Sequence, residues 1–173
     1  MIDEITKFTN TFKDFARPNR FKVIFVFPGV PHKWLDKLSL LVDTTSFPAN
    51  PINNVQINRV GKKITIPFEE TSPQLNITFL MDDEYTPLKT FERIYHFATK
   101  EDNTYISFDY FTETKIEIIQ YNIDLSIPLF KYEFFRVIPT NLSDIALSHT
   151  SKQEIEKLTV TFNADTFNFI ELG

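Results

Sequence analysis

Cysteine is absent from the 173 residues. That removes disulfides, thiolate metal sites and thiol redox chemistry, and it permits a reducing compartment. Glycine is scarce, with three copies including the terminal Gly173, so there is little material for a phosphate-cradling loop. Neither Gly-x-Ser-x-Gly nor Gly-x-Gly-x-x-Gly occurs. No apolar run approaches the ~20 residues of a membrane span. The start, Met1-Ile2-Asp3-Glu4, is acidic where a signal peptide would be basic, so a soluble chain made in the cytoplasm is expected. Clustered positive charge is also missing. The 18 basic residues face 23 acidic ones, for a net charge of −5, and Lys62-Lys63 is the one adjacent basic pair. Tight binding of nucleic acid or an anionic membrane needs a basic cluster.

Catalytic constellations are missing as well. His32, His96 and His149 share no metal-ligand spacing such as i, i+4 on a helix. Asp82-Asp83-Glu84 lacks the spaced oxygens and central glycine of a calcium loop; it reads as a solvated helix start. Glu69-Glu70 and Glu101-Asp102 are neighbours in sequence, whereas catalytic carboxylates face each other across a substrate. Asn76-Ile77-Thr78 and Asn141-Leu142-Ser143 match the glycosylation sequon and read as chance tripeptides. No cofactor, no metal and no enzymatic activity are expected.

What the chain has in abundance is aromatic residues, 19 Phe and 6 Tyr, together with ten prolines. Aromatics favour strands and protein contact surfaces. Residues 3–13 read as a short helix with Asp3 as N-cap and Ile5, Phe8 and Phe12 on one face. Residues 20–27 are a strand with apolar residues on both faces, which predicts that both are covered. Residues 32–42, with Trp34, Leu35, Leu38 and Leu41, read as a helical turn running into a strand, and 43–51 as a loop. Val55, Ile57 and Val60 read as alternating, followed by Ile64 and Ile66, which predicts strands at 53–59 and 62–67, pairing as a hairpin. A polar turn at 69–73 leads to another strand at 75–80. Thr86 is the expected N-cap of a helix with Pro87 at its first position, and Leu88, Phe91, Ile94 or Tyr95, and Ala98 form its apolar stripe. Further strands are expected at 104–111, 114–121, 129–137 and 156–164, with Pro139-Thr140-Asn141 as a turn. About eight strands without a βαβ rhythm predict largely antiparallel sheets in one domain over residues 1–173.

Three segments carry a family resemblance. They are Asp14-Phe15-Ala16-Arg17-Pro18-Asn19 entering the first strand; Phe47-Pro48-Ala49, then Asn58-Arg59, Lys63-Ile64-Thr65-Ile66 and Asn76 to Glu84; and Pro139-Thr140-Asn141 with the strand 156–164. In order and spacing the chain resembles the tail tube proteins of contractile-tailed bacteriophages. The resemblance implies a mainly β fold, two antiparallel sheets packed as a barrel-like sandwich with a flanking helix, shared with the type VI secretion tube protein. It implies hexameric rings stacked into a tube inside a sheath, driven through the host envelope, with DNA passing down the bore without sequence-specific binding. The implied partners are the chain itself, the tail sheath protein, baseplate or tube-initiator proteins and the tape measure protein, in a virion tail assembled in the host cytoplasm, with no membrane anchor.

A sandwich leaves edge strands with unpaired N–H and C=O groups, and a ring of subunits paired edge to edge satisfies them. The 53–67 region and the C-terminal strand are the candidate ring contacts; residues 11–19, 43–51 and 67–73 are the candidate stacking material. The interface candidates are Phe15, Arg17, Pro18, Asn19, Phe47, Pro48, Arg59, Lys62 and Lys63. Arg17 and Arg59 stand out because a guanidinium grips carboxylates in a bidentate fork, against the alternative of surface arginines worth little. Two other readings stay open: a tube-initiating baseplate subunit of the same fold, and a monomeric β-barrel binding a small apolar ligand.

Overall fold

The computed structural model describes residues 19–47, 52–70, 72–99, 108–122, 125–145 and 155–172. The expected helix at 3–13 lies outside them. In chain order the elements are β1 (Phe21–Val26), α1 (His32–Leu40), β2 (Val42–Thr45), β3 (Ile52–Arg59), β4 (Lys62–Glu70) and β5 (Gln74–Leu80). They continue with α2 (Thr86–Ala98), α3 (Phe108–Phe111), β6 (Lys115–Tyr121), β7 (Pro128–Phe135), β8 (Ile138–Leu142), β9 (Lys157–Asn163) and β10 (Thr166–Glu171).

Alternating side chains divide these strands into two four-stranded antiparallel sheets and a separate hairpin. Sheet A runs β1-β6-β7-β10, sheet B runs β2-β5-β9-β8, and among the described residues β3 pairs only with β4. The inner face of sheet A supplies Val23, Phe25, Ile116, Ile118 and Phe134; that of sheet B supplies Leu75, Ile77, Phe79, Leu158, Val160 and Phe162, all buried. Phe25 meets Phe79 at 5.7 Å between ring centroids, so the two layers share one core. The sheets remain an open sandwich: among the described residues β1, β10, β2 and β8 are edges and no barrel closes.

The helices close one flank. Helix α2 inserts Phe91, whose ring lies 5.4 Å from Phe79 and 5.7 Å from Phe162, and Ile94 and Ala98 continue the buried stripe. Helix α1 starts after Pro31 and buries Leu35 and Leu38. A cluster of charges ties the two helices together. Asp82 accepts from the Thr86 N–H and hydroxyl, both at 2.6 Å, and from Lys37 on α1 at 2.6 Å; Lys37 also reaches Glu84 at 2.5 Å. Burial pushes the Asp82 carboxyl up, but the Lys37 and Thr86 hydrogen bonds outweigh it and hold the group down at about 2. The same two carboxylates raise Lys37.

Several expectations require correction. Thr86 is not the cap: Tyr85 holds that position in the left-handed region (φ 53°), and the Asp82 side chain does the capping from outside the helix. Residues 108–111 of the expected strand 104–111 form a helical turn; 104–107 lie outside the described residues. Pro139-Thr140-Asn141 is strand β8 rather than a turn, and 166–171 is a strand the alternation did not announce. Strand β4 runs on to Glu70, into the expected polar turn, and part of the expected loop 43–51 is β2. On β1 one face is covered, while Val26 on the other stays 44% exposed.

Candidate subunit interface

Edge strands carry unsatisfied backbone groups, and here they flank an opening. Strands β1 and β2 are the edges of different sheets, and a cleft of about 710 Å³ lies between them, lined by Phe21, Val23, Val42 and Thr45. A smaller cavity of about 180 Å³ continues it, sharing Phe21 and Thr45 and adding Phe47. The Thr45 hydroxyl is the one buried side-chain polar atom without a hydrogen-bond partner among the described residues. Leu40 and Leu125 stand at the mouth, 85% and 61% exposed. Beyond Phe47 the inner face of sheet A continues as an aromatic cluster. The Phe47 ring lies 5.0 Å from Tyr132 and 5.5 Å from Phe130, and Phe169, half-exposed, lies 5.2 Å from Tyr132.

Hairpin β3–β4 is the second feature. Its register pairs Arg59 with Lys62, Asn58 with Lys63 and Ile57 with Ile64. The connecting pair is Val60-Gly61, both at positive φ (48° and 76°), the backbone of a two-residue hairpin turn. Glycine takes this conformation freely; a β-branched residue there is an outlier. Val60 is fully exposed, and Ile57, Ile64 and Ile66 each leave 40% or more of their surface in water. A two-stranded hairpin is marginal by itself, and among the described residues this one pairs with neither sheet.

The two outer sheet faces differ. Sheet B presents a ladder of uncharged pairs, Gln74 to Asn163 at 3.4 Å, Thr161 to Asn76 at 2.8 Å and Thr78 with Thr159 at 3.0 Å, ended by one ion pair between Lys157 and Asp43 at 2.7 Å. Sheet A carries an ionic one, in which Glu133 takes Lys115 at 2.8 Å and Lys131 at 2.6 Å. Those two lysines hold the Glu133 carboxyl below its ordinary value.

Of the residues singled out by sequence, Asn19 lines the large cleft and Phe47 the small one. Lys62 and Lys63 are exposed beside the hairpin turn, where Arg59 pairs with Lys62 in register. The structure thus gathers them on two features, the cleft and the hairpin. Phe15, Arg17, Pro18 and Pro48 lie outside the described residues. The strand 156–164 offers no free edge, because β9 is bonded to β5 and β8 on its two sides. Val60 belongs to the turn and not to the strand alternation. Sequence reasoning missed Leu40, Thr45 and Phe169. Val60-Gly61 between two alternating runs was the signal available for the turn; nothing local marks Thr45.

Among the described residues the fold is a two-sheet sandwich with open edges and a separate hairpin whose apolar face is exposed. Comparison with known proteins gives the family. The model of the phage tail tube protein family matches residues 16–170, and the chain belongs to that family. It is 23% identical to tail tube protein gp19 of Enterobacteria phage T4 over 165 residues, covering 95% of this chain and 97% of that protein. Its fold is similar to a chain of the extended sheath–tube complex of an extracellular contractile injection system, PVC, with TM-score 0.65, 16% identity and coverage of 96% and 97%. It is also similar to a chain of the tube-terminating cap of the anti-feeding prophage, with TM-score 0.66, 16% identity and coverage of 92% and 93%.

Proposed function

We propose that copies of this chain, each folding as one domain, close edge to edge into a hexameric ring, and that rings stack into the hollow tail tube of a contractile particle. The observation that carries this reading is the unpaired hairpin β3–β4. Its exposed Ile57, Ile64 and Ile66, and edges that pair with no other described strand, are marginal by themselves and gain stability when another chain covers them. Family membership supports a second copy as that chain. Arg59, Lys62 and Lys63 are the proposed charged contacts at this interface, with Asn19 and Phe47 at the receiving opening and Phe15, Arg17, Pro18 and Pro48 as further contacts.

The mainly uncharged ladder on sheet B suits a wetted bore. Phosphate binding grows with the number of cationic contacts; the rows of Thr, Asn and Gln provide none and Lys157 on the same face is paired with Asp43, so DNA passes without being gripped. In the proposed particle the tube sits inside a tail sheath, rises from baseplate or initiator proteins and encloses a tape measure protein. No described helix is long and apolar enough to cross a membrane.

Light scattering after size-exclusion chromatography, with negative-stain microscopy, tests the proposal. Rings or tubes are expected as concentration rises. A persistent monomer that takes up an apolar dye would replace the reading with a ligand carrier. Copy number in the particle separates a tube subunit from an initiator of the same fold.

A further inference from the structure

We infer that the groove between helices α1 and α2 is a docking site for a carboxylate-bearing segment of a partner protein other than this chain. The groove has a volume of about 570 Å³ and is lined by Lys33, Trp34 and Lys37 of α1, Thr86 and Lys89 of α2, and Glu84 just before α2. Lys33 and Lys37 stand four residues apart on α1, as Lys89 and Arg93 do on α2. Each helix thus carries two cations one turn apart, ~6 Å along its axis. The whole chain carries −5, so this flank reverses the sign of the molecule locally.

Three of these cations are uncommitted. Lys37 is tied to Asp82 and Glu84. Among the described residues, Lys33, Lys89 and Arg93 form no ion pair with an acid. Arg93 is nonetheless held in place: its guanidinium lies 5.5 Å from the Trp34 ring centroid and 5.3 Å from that of Phe97. Phe97 in turn stacks on Tyr110 and covers Gly29, where a Cβ would come within 3.1 Å of the ring. A guanidinium fixed between rings keeps its N–H fork for a carboxylate and has little rotamer freedom left to lose on binding. Phe97 remains 41% exposed, so the arginine and its aromatic supports form one accessible anchor of the kind that dominates protein interfaces.

The local chemistry selects carboxylates over phosphates. A phosphate site at a helix start needs free backbone N–H groups, and the Thr86 N–H is already taken by Asp82 at 2.6 Å. Asp82 and Glu84 also put two negative charges beside Lys37. A dense polyanion meets both, whereas single carboxylates spaced to the free cations avoid them. The self-association proposed above uses sheet edges and the hairpin, and the helical flank holds neither, which leaves it to a different protein.

Trp34 is the chain's one tryptophan, so its fluorescence reports occupancy of the groove. The full chain is titrated with a tryptophan-free helical peptide carrying Glu at i and i+4 on one face, with the same peptide carrying Gln there, with tripolyphosphate and with a short oligothymidine. Calorimetry repeats each titration. Saturable binding of the Glu peptide in clear preference to the other three is expected. Arg93→Gln should weaken it about tenfold and Lys33→Gln should weaken it less, while Lys22→Ala, an exposed cation on β1, leaves it unchanged. No binding, equal or tighter binding of any of the other three probes, or full affinity in both groove variants overturns the site. Circular dichroism confirms that the variants fold, and by light scattering both groove variants should self-associate as the parent does. A folded groove variant that fails to do so makes the groove a contact between copies and overturns the choice of partner. Failure of the parent to self-associate overturns the tube reading alone, because the peptide titration does not depend on it.

Discussion

At the scale of single residues, two polar groups carry opposite consequences. Thr45 buries a hydroxyl that nothing among the described residues satisfies. Replacing it by the isosteric Val removes that cost, and Thr45→Val is expected to raise monomer stability by about 1 kcal/mol. A shifted denaturant midpoint with an unchanged slope checks this; a lower midpoint would mean that the hydroxyl is already paired in the subunit. Asp82 is the reverse case, with every oxygen engaged. Asp82→Ala removes a helix cap and the Lys37 bridge, with an expected loss of about 1–2 kcal/mol. The folded carboxyl titrates at about 2, below the ordinary value of about 4 for an unfolded Asp. Its contribution is therefore complete above pH ~4 and fades as pH falls toward 2. Melting curves across that window should fall more steeply for the parent than for Asp82→Asn.

At the scale of elements, the hairpin shows a conflict between local and assembled requirements. A turn with both central residues at positive φ favours Asn-Gly; this chain places Val60 there, fully exposed. An apolar, strained tip makes sense if something covers it. Val60→Asn is expected to leave the monomer equally or more stable, since an αL conformation costs roughly 1–2 kcal/mol for most residues. The same change should lower ring or tube yield severalfold, measured by sedimentation of assembled material. Unchanged yield would show the tip to be a free surface. Strand β8 makes a related point: it accommodates Pro139 because an edge strand can spare the missing N–H, so its proline marks a sheet margin and not a turn.

At the scale of the whole molecule, the core and the contact surfaces are separate. The buried cluster from both sheets and α2 closes without using Ile57, Ile64, Ile66 or Val60. Blocking assembly should therefore leave a folded monomer. The double change Lys62→Glu, Lys63→Glu reverses the sign of the hairpin tip. It is expected to yield a monomer by light scattering, with a thermal midpoint within a few degrees of the parent, since exposed charges away from buried networks have small effects. Collapse of the midpoint would show that the tip belongs to the subunit's own fold.

Much of this architecture was legible in the residues. Strict alternation marked β1, β5, β6 and β9, the 3.6-residue stripe marked α2, and Val60-Gly61 between two alternating runs marked the hairpin, because burial on one face writes a period into the sequence. The motifs around Asp14 to Asn19 and Asn76 to Glu84 were enough to point to the family. What alternation does not encode is which strand lies beside which. Strand β10 owes its place to pairing with β7 and keeps most of its residues in partial contact with water, so it leaves no clear period. Strand β9 looked like a margin and is a centre, because β8, some twenty residues earlier, returns beside it. The orphaned Thr45 hydroxyl and the cleft around it exist only where two edges from different sheets come together. Hydrophobic period is a local property of the chain, whereas edges and openings are set by contacts between distant segments, and those the folded molecule alone decides.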